Sequence, residues 1–205
     1  MFPESRAVAG SIRYKCAGFW AGCGEPYARA TAGGNERDEG SEASMSKRSA
    51  GILLYRHTPA GLEVFLVHPG GPFWAKKDAG AWGIPKGECQ PGETTLAAAR
   101  REFAEETGFR PEGHFVQLGS FRQSNAKTVD VWALAGDVDP AKLQSNTFQL
   151  EWPPKSGRMQ EFPEVDRAAW FTHPEAGRKI LRGQVPILEA FYVHLGVGAK
   201  TQRPR

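Results

Sequence analysis

Three glutamates that lie close together in the sequence carry the clearest indication of chemistry. Glu102, Glu105 and Glu106 have the three- and four-residue spacings that place side chains on one face of a helix, within a turn of each other. Glutamate has an unperturbed pKa of about 4.3, so all three are ionised at neutral pH. Like charges at this spacing repel unless a positive charge lies among them, and a carboxylate-rich, oxygen-only cluster suits a hard divalent cation. The spacing therefore predicts a magnesium or manganese site, which in turn favours phosphate chemistry.

The residues around the glutamates predict a loop followed by a helix. Three residues that break helices precede the cluster: Gly87, Pro91 and Gly92. Thr94 or Thr95 is a suitable N-cap, and Gly108 fits the left-handed position just past the helix end. An apolar stripe of Leu96, Ala99 and Phe103 predicts the buried face, with the acids on the opposite face. Arg101 stands four residues before Glu105 and is placed to hold that carboxylate.

Together these residues resemble the Nudix box, G-x(5)-E-x(7)-R-E-U-x-E-E-x-G-U, where U is a bulky apolar residue. Every fixed position is filled, by Gly87, Glu93, Arg101, Glu102, Phe103, Glu105, Glu106, Gly108 and Phe109. The preceding segment WGIPKG, residues 82–87, is similar to the segment that commonly leads into the box. The resemblance covers about residues 48–195 and implies the Nudix fold, a three-layer α/β/α sandwich with a mixed β-sheet.

The resemblance also implies roles for the residues of the box. Glu102, Glu105 and Glu106 are expected to bind Mg²⁺, or Mn²⁺, with the carbonyl of Lys86 also facing the metal. Arg101 is expected to orient a carboxylate. The box further implies structural roles for Gly87 and Gly108, and a bracing role for Glu93 at the start of the helix.

The general base has several candidates, because Nudix enzymes place it either in the box or in a later loop. Glu105 and Glu106 are the candidates within the box. Three later acids, Glu161, Glu164 and Asp166, precede the last strand, and of these we favour Glu164 as a base or an additional metal ligand.

Substrate-binding residues are expected outside the box. Lys76, Lys77 and Lys86 are predicted to attract phosphates, and Lys155 and Arg158 form a second basic loop. Three tryptophans are candidates to stack a base, namely Trp74, Trp82 and Trp152. Trp132 and Trp170 are predicted to pack in the core, and none of the five histidines is assigned a catalytic role.

The remaining pattern predicts an α+β domain with a mixed sheet covered on both faces. Strands are predicted at 49–55, 62–67, 115–124, 127–135 and 167–172, and C-terminal helices at 174–182 and 185–195. Residues 68–81 are predicted to form a long functional loop, and residues 137–154 a turn-rich insertion.

The two ends of the chain differ from this domain, which we assign to residues 47–197. Residues 1–46 are rich in small and charged residues without a sustained period, which predicts a segment without fixed structure, and Met45 is a hypothetical natural start. Residues 198–205 are predicted to form a flexible tail. The chain has no 18-residue apolar run, no continuous apolar signal segment and an odd number of cysteines, so we expect a cytoplasmic protein with no membrane partner.

Several functions are compatible with this pattern. The resemblance implies a pyrophosphohydrolase whose substrate is a nucleoside diphosphate linked to another group. Residues 82–88 and 127–135 loosely resemble diadenosine tetraphosphate hydrolases, so dinucleoside polyphosphates or nucleoside triphosphates are candidates. Removal of pyrophosphate from RNA 5′ ends is a second possibility, although a net charge of only +3 is not by itself a signature of nucleic-acid binding. A nucleotide-sensing domain without turnover typically lacks box acids, which this chain retains. No feature indicates an oligomeric state.

Overall fold

The computed structural model describes residues 48–123 and 127–197. The predicted extension at residues 1–46, the hypothetical start at Met45 and the predicted tail at 198–205 lie outside the described residues. Within those residues the fold is α+β, with three helices, one six-stranded sheet and one two-stranded hairpin. The strands are β1 (Arg48–Thr58), β2 (Gly61–Pro69), β3 (Lys86–Glu88), β4 (Phe115–Arg122), β5 (Thr128–Ala135), β6 (Thr147–Glu151), β7 (Met159–Pro163) and β8 (Val165–Thr172). The helices are α1 (Thr95–Thr107), α2 (His173–Lys179) and α3 (Val185–His194).

The large sheet is mixed, as the sequence predicted. Its strand order is β4-β5-β1-β2-β8, and β3 also pairs with β1. The β1–β5 pairing is parallel, whereas the other pairings of this sheet are antiparallel. The smaller sheet is the hairpin of β6 and β7.

One edge of β1 is shared by two partners, and this arrangement positions the box. β2 pairs with residues 55–58 of β1, and β3 pairs with residues 49–51. Residues 82–88, which include β3, lie between β1 and β2 where these two strands do not pair with each other. Pro85 accepts a hydrogen bond from Ile52 N at 3.1 Å, and Gly83 exchanges two bonds of 2.9 Å with Val67. We call residues 82–88 the wedge segment. Because it is bonded on both sides, its backbone is fixed beneath α1.

The sheet is covered on both faces, which follows from the alternation of side chains along its strands. Ile52 and Leu54 point into an apolar cluster that contains Phe103 of α1. Leu53, between them, points into the opposite cluster, which contains Phe191 of α3. The runs of consecutive apolar residues in β1 and β2 are therefore typical of central strands that are buried on both faces.

Helix α1 begins and ends where the sequence predicted. The hydroxyl of Thr94 accepts a hydrogen bond from Ala97 N at 3.2 Å, so Thr94 is the N-cap. Gly108 ends the helix with a φ of 77° and donates its N–H to the Ala104 carbonyl at 2.8 Å. The prediction that all the acids lie opposite the apolar face is wrong for one of them: Glu106 is buried alongside Phe103.

Several expectations about strands, loops and helices need correction. β2 extends through His68 and Pro69, which shortens the loop predicted to begin at His68. The insertion predicted at 137–154 contains a short 3-10 helix, Pro140–Lys142, and contributes β6 to the hairpin. Neither β6 nor β7 was predicted, because both strands are short and their half-exposed side chains lack a strong apolar alternation. The predicted helix at 174–182 ends three residues earlier, where Ile180 adopts an extended conformation.

Replacement of Phe103 by alanine tests whether packing of α1 on the sheet stabilises the domain. Phe103 is 1% exposed, and removal of a buried phenylalanine ring typically costs about 3–5 kcal/mol. Urea unfolding of Phe103→Ala should show a loss of that size in the free energy of unfolding. Val193→Ala, at a side chain that is 78% exposed on α3, is the matched control and should change it by less than about 0.5 kcal/mol. Similar values for the two variants would contradict this packing.

Candidate functional site

The centre of the site is a contact between α1 and the wedge segment. The backbone N–H of Lys86 donates a hydrogen bond to Oε2 of Glu106 at 3.0 Å. Both residues are buried, with exposed fractions of 4% and 3%. A buried carboxylate is strongly destabilised unless it is hydrogen-bonded or paired with a positive charge. The wedge segment therefore supplies a required partner for this acid, and it brings the Lys86 backbone to the box glutamates.

A glycine next to that contact leaves room for a box carboxylate. A Cβ at Gly87 would lie 1.9 Å from the carboxyl carbon of Glu102, so any other residue there would displace the Glu102 carboxylate. The Glu102 carboxylate therefore lies directly over the Gly87 backbone. This close approach gives a physical reason for the first fixed position of the box.

Arg101 joins the acids of the box and fixes the loop before them. Its Nη1 donates to Glu102 Oε1 at 2.6 Å and to Glu105 Oε2 at 3.2 Å. Its Nε and Nη2 donate to the two oxygens of Glu93 at 3.0 and 2.9 Å, and Nη2 also reaches the Glu88 carbonyl at 3.0 Å. These partners use the planar fork of the guanidinium, which a lysine cannot reproduce. Arg101 thus contacts three carboxylates, where the sequence led us to expect one.

Glu93 connects this arginine to the loop backbone. One of its oxygens accepts the Gln90 N–H at 3.0 Å, and its own N–H donates to the Gln90 carbonyl at 3.0 Å. The hydrogen bond from Arg101 is the main reason that the pKa of Glu93 lies below its ordinary value. The contacts are those of a residue that braces the loop.

The electrostatic environment of Glu106 is short of positive charge. Burial raises the pKa of the Glu106 carboxyl well above its ordinary value, although Lys86 opposes this shift. The negative charges of Glu102 and Glu164 raise it further. Burial also lowers the pKa of the Lys86 ammonium to about 8, with the charge of Glu106 acting in the opposite direction. Both effects are the expected cost of placing charged groups in the interior.

The donor set is suited to a hard divalent cation, although its side chains do not converge on a single point. Within residues 48–123 and 127–197, no three Asp, Glu, His or Cys side chains are placed to hold a metal ion together. Arg101 attracts the carboxylates of Glu102 and Glu105, while Glu106 is bonded to an amide. The atoms that could bind a cation are the carboxylate oxygens of Glu102, Glu105 and the buried Glu106, and Glu164 adds further negative charge nearby. This chemistry fits Mg²⁺ or Mn²⁺.

Of the three later acids, Glu164 lies near the glutamates of α1. Its N–H donates to Asn146 O at 2.8 Å, and Asn146 N donates in turn to the Glu105 carbonyl at 2.9 Å. Its charge acts on Glu106, as described above. The other two acids are engaged elsewhere: Glu161 accepts a hydrogen bond from Thr147, and Asp166 accepts one from His68 Nδ1 at 2.7 Å.

Trp82 does not present its ring to a ligand. It is 5% exposed, and its indole N–H donates to Asp78 at 2.8 Å. Its ring packs edge-on against His68 and Phe171. The placement is that of a core residue rather than a stacking platform. Trp132 and Trp170, predicted to pack in the core, are partly buried against the cluster that contains Phe103.

The predicted basic residues divide between two exposed segments. Lys76 and Lys77 lie in the loop after β2, where the Lys77 ammonium stands 4.4 Å from the centre of the Trp74 ring. Lys155 and Arg158 lie in the turn between β6 and β7. Lys86 belongs to neither segment, because its side chain is buried at the centre of the site.

Two positioning residues were missed by the sequence analysis. His68 is fully buried, and its Nε2 lies 2.9 Å from the Lys77 carbonyl, so it ties the loop after β2 to Asp166. Asn146 links Glu105 to Glu164 through backbone bonds. No local signal marks Asn146, since its role depends on backbone groups. The one sequence feature that points to a positioning role for His68 is its place in an apolar run. An acid that could pair with it occurs later in the chain, before a strand.

No helix in the described part of the chain is long and apolar enough to cross a membrane.

Comparison with known proteins places this geometry in a family. The model of the NUDIX domain matches residues 45–191. A nucleoside triphosphate pyrophosphatase/Nudix hydrolase fusion protein of Bifidobacterium longum is 31% identical over 112 residues, which are 52% of this chain and 23% of that protein. The chain thus spans less than a quarter of the length of this curated relative.

Solved structures show the same fold. An Ap4A hydrolase from C. elegans, in a binary complex, has a TM-score of 0.51 at 22% identity and covers 72% of this chain and 98% of its own. The NUDIX domain of Shewanella oneidensis NrtR, complexed with ADP ribose, has a TM-score of 0.52 at 16% identity and covers 74% and 90%. The sequence resemblance is confirmed, and the chain belongs to the Nudix family.

Proposed function

We propose that the chain is a divalent-metal-dependent pyrophosphohydrolase that cleaves a phosphoanhydride bond in a nucleoside diphosphate linked to another group. The observation that carries this proposal is the complete set of box acids on α1, with Glu106 bonded to the wedge backbone and Arg101 bridging the others. Dinucleoside polyphosphates and nucleoside triphosphates are the substrate candidates. The name of the Bifidobacterium longum relative includes a nucleoside triphosphate pyrophosphatase, although only a small part of that protein is aligned.

In this proposal Glu102, Glu105, Glu106 and the Lys86 carbonyl hold Mg²⁺ or Mn²⁺. An ion held there would neutralise phosphate charge and lower the pKa of a bound water. Arg101 keeps Glu102 and Glu105 in place, and its own contacts to the loop leave it no role in binding substrate. These residues position and polarise the reactants, which is most of what phosphoryl transfer requires.

Glu164 is the proposed general base or additional ligand among the later acids. It is joined to the box by the Asn146 backbone and acts electrostatically on Glu106. Glu161 accepts a hydrogen bond from Thr147, and Asp166 accepts one from His68. Glu105 and Glu106 stay as the candidates within the box.

A substrate screen tests the reaction class. Purified protein should release phosphate or nucleotide from at least one of four groups: dinucleoside polyphosphates, nucleotide sugars, nucleoside triphosphates and 5′-pyrophosphorylated RNA. Turnover should require Mg²⁺ or Mn²⁺ and should stop in excess EDTA, because the acids alone cannot neutralise the phosphates. Undiminished turnover in EDTA would contradict the metal dependence. Binding of these compounds without any turnover would favour a sensing domain.

Glu105→Gln and Glu106→Gln, made separately, test the assignment of the acids. Each change removes a negative charge while it preserves size, so kcat should fall by about 100-fold or more, the range for loss of a general base or of transition-state charge stabilisation. Glu112→Gln, at an exposed acid outside the box, is the control and should keep the normal rate. Near-normal rates in both box variants would refute the site, provided that circular dichroism shows intact folds.

Arg101→Lys tests whether the guanidinium fork orients the ligands. A lysine keeps the charge but cannot contact Glu93, Glu102 and Glu105 together. The apparent affinity for Mg²⁺, measured by titration of activity, should weaken by about 10- to 100-fold, the usual effect of removing a group that supports metal ligands. Arg100→Lys is the matched control, since Arg100 is exposed and stands over Phe115 instead. Equal Mg²⁺ affinities in the two variants would exclude this role.

A further inference from the structure

The pairing of β2 with β8 contains an irregularity close to Glu164. From His68 to the next residue of β2, the partner in β8 moves by two positions, from Arg167 to Val165. Asp166 is therefore an extra residue of β8, which makes this place a β-bulge. Bulges are common next to active sites, where they redirect a side chain or end the pairing of two strands. This one lies two residues after Glu164.

The bulge changes the face of the sheet on which these residues lie. Ala168 packs against the apolar cluster that contains Phe103, so strict alternation along β8 would place the Asp166 carboxylate in that cluster. Val165 is buried there instead, with an exposed fraction of 3%. This is the expected result of a one-residue shift, which exchanges the two faces of a strand. The bulge thus keeps a carboxylate out of the core and anchors the residue next to Glu164 on the side of α1.

A fully buried histidine holds the bulged residue on the opposite face. His68 Nδ1 lies 2.7 Å from Oδ1 of Asp166, and because an ionised carboxylate can only accept hydrogen bonds, Nδ1 is the donor. His68 Nε2 lies 2.9 Å from the Lys77 carbonyl and 2.9 Å from Nη2 of Arg167. A buried polar group is costly unless it is hydrogen-bonded. Without the bulge, Asp166 would lie on the other face and His68 would lose this partner.

Backbone bonds carry the constraint from the bulge to Glu164. The Glu164 carbonyl accepts a hydrogen bond from Gly70 N at 2.9 Å, and its N–H donates to Asn146 O at 2.8 Å. Val165 N donates to the hydroxyl of Ser145 at 3.0 Å. Both sides of Glu164 are therefore tied to neighbouring segments, and these ties fit only the register that the bulge sets.

The displacement that the bulge prevents is large for a residue that takes part in chemistry. A strand rises about 3.3 Å per residue, so loss of the bulge would move Glu164 by about that distance along β8. A misplacement of about 1 Å can cost an enzyme about 100-fold in rate. The negative charge of Glu164 acts on Glu106, which is consistent with a position beside the box acids.

We propose that His68 and Asp166 form a register lock, in which their hydrogen bond holds the bulge in β8 and thereby positions Glu164 for the reaction. His68 is a positioning residue, since it acts through Asp166 and the backbone of β8. This inference rests on the proposed function, because it requires Glu164 to serve as a base or a metal ligand. It follows that the register lock affects turnover only through Glu164.

The first test measures the register lock without metal or substrate. Backbone ¹⁵N order parameters are recorded in EDTA for the full chain and for His68→Leu and Asp166→Ala. Residues 164–166 should be rigid in the unmodified chain, at about 0.85, and should fall below about 0.6 in both variants. Residues 169–171, further along β8, should stay rigid in all three proteins. A merely structural role for His68 would lower stability without this local loss of order.

The second test is a double-mutant cycle on turnover. At a fixed Mg²⁺ concentration, His68→Leu should lower kcat by about 10- to 100-fold, the usual effect of removing a group that supports the reacting residues. In a chain that already carries Glu164→Gln, the same change should lower kcat by less than about twofold. The two effects should be non-additive because the register lock and Glu164 act as one unit.

Two further variants are controls. Asp166→Asn keeps an oxygen that can accept the hydrogen bond from His68, so it should retain most of the rate and order that Asp166→Ala loses. His57→Leu, at an exposed histidine of β1, should leave both the order parameters and kcat unchanged.

Three outcomes would overturn the register lock. Unchanged order parameters at residues 164–166 in both variants would show that the bulge is held without this bond. An equal loss of kcat from His68→Leu with and without Glu164→Gln would show that His68 acts by another route. A normal kcat for Glu164→Gln in an active enzyme would leave the lock no role in the reaction. If the unmodified chain turns over none of the substrates, the proposed function fails, and the order parameters alone then support or refute the lock.

Discussion

The hydrogen bond from the Lys86 amide to the Glu106 carboxylate is the contact on which the arrangement of the site depends. It joins α1 to the wedge segment across the interior, where neither group has water as an alternative partner. The wedge segment is itself held between β1 and β2, so the position of one acid is set by the central strands of the sheet. Gly87, one residue further, then lies beneath the Glu102 carboxylate, which a larger residue at this position would displace. This buried bond therefore acts together with the packing of Phe103 on the sheet to hold α1 against the wedge segment.

On the exposed side of α1, Arg101 has a complementary effect. It gathers Glu93, Glu102 and Glu105 around one guanidinium, which relieves their mutual repulsion and anchors the preceding loop. Glu106 instead accepts the Lys86 amide and lies near the desolvated Lys86 ammonium, while the negative charges of Glu102 and Glu164 act against its ionisation. The site is thus electrostatically balanced on its outer side and short of positive charge on its inner side. This asymmetry is what a bound divalent cation would offset.

Features that depend on neighbouring residues could be predicted from the sequence, and features that depend on distant ones could not. Thr94 and Gly108 define helix ends through local geometry, and both predictions are confirmed. The mixed sheet was predicted from strands on both sides of the box helix followed by C-terminal helices, and it is confirmed, as is the family. The burial of Glu106 depends on a backbone amide 20 residues away, and no pattern in α1 indicates it. Trp82 lies in a segment whose sequence is that of a loop, but its side chain is packed beneath β8. The apolar alternation of β6 and β7 is too weak to predict the hairpin.

The parallel pairing of β1 with β5 has a consequence for how the domain assembles. Arg48 and Asp130 form a salt bridge across this pair although they are 82 residues apart in the chain. The box lies entirely within the loop that this pairing closes. Contacts of such long range slow folding, because the entropy of loop closure is lost before the contacts compensate it. α1 has its own caps, but the position of the wedge segment depends on the central strands having come together. We therefore expect the final arrangement of the carboxylates to be a property of the completed topology rather than of the helix that carries them.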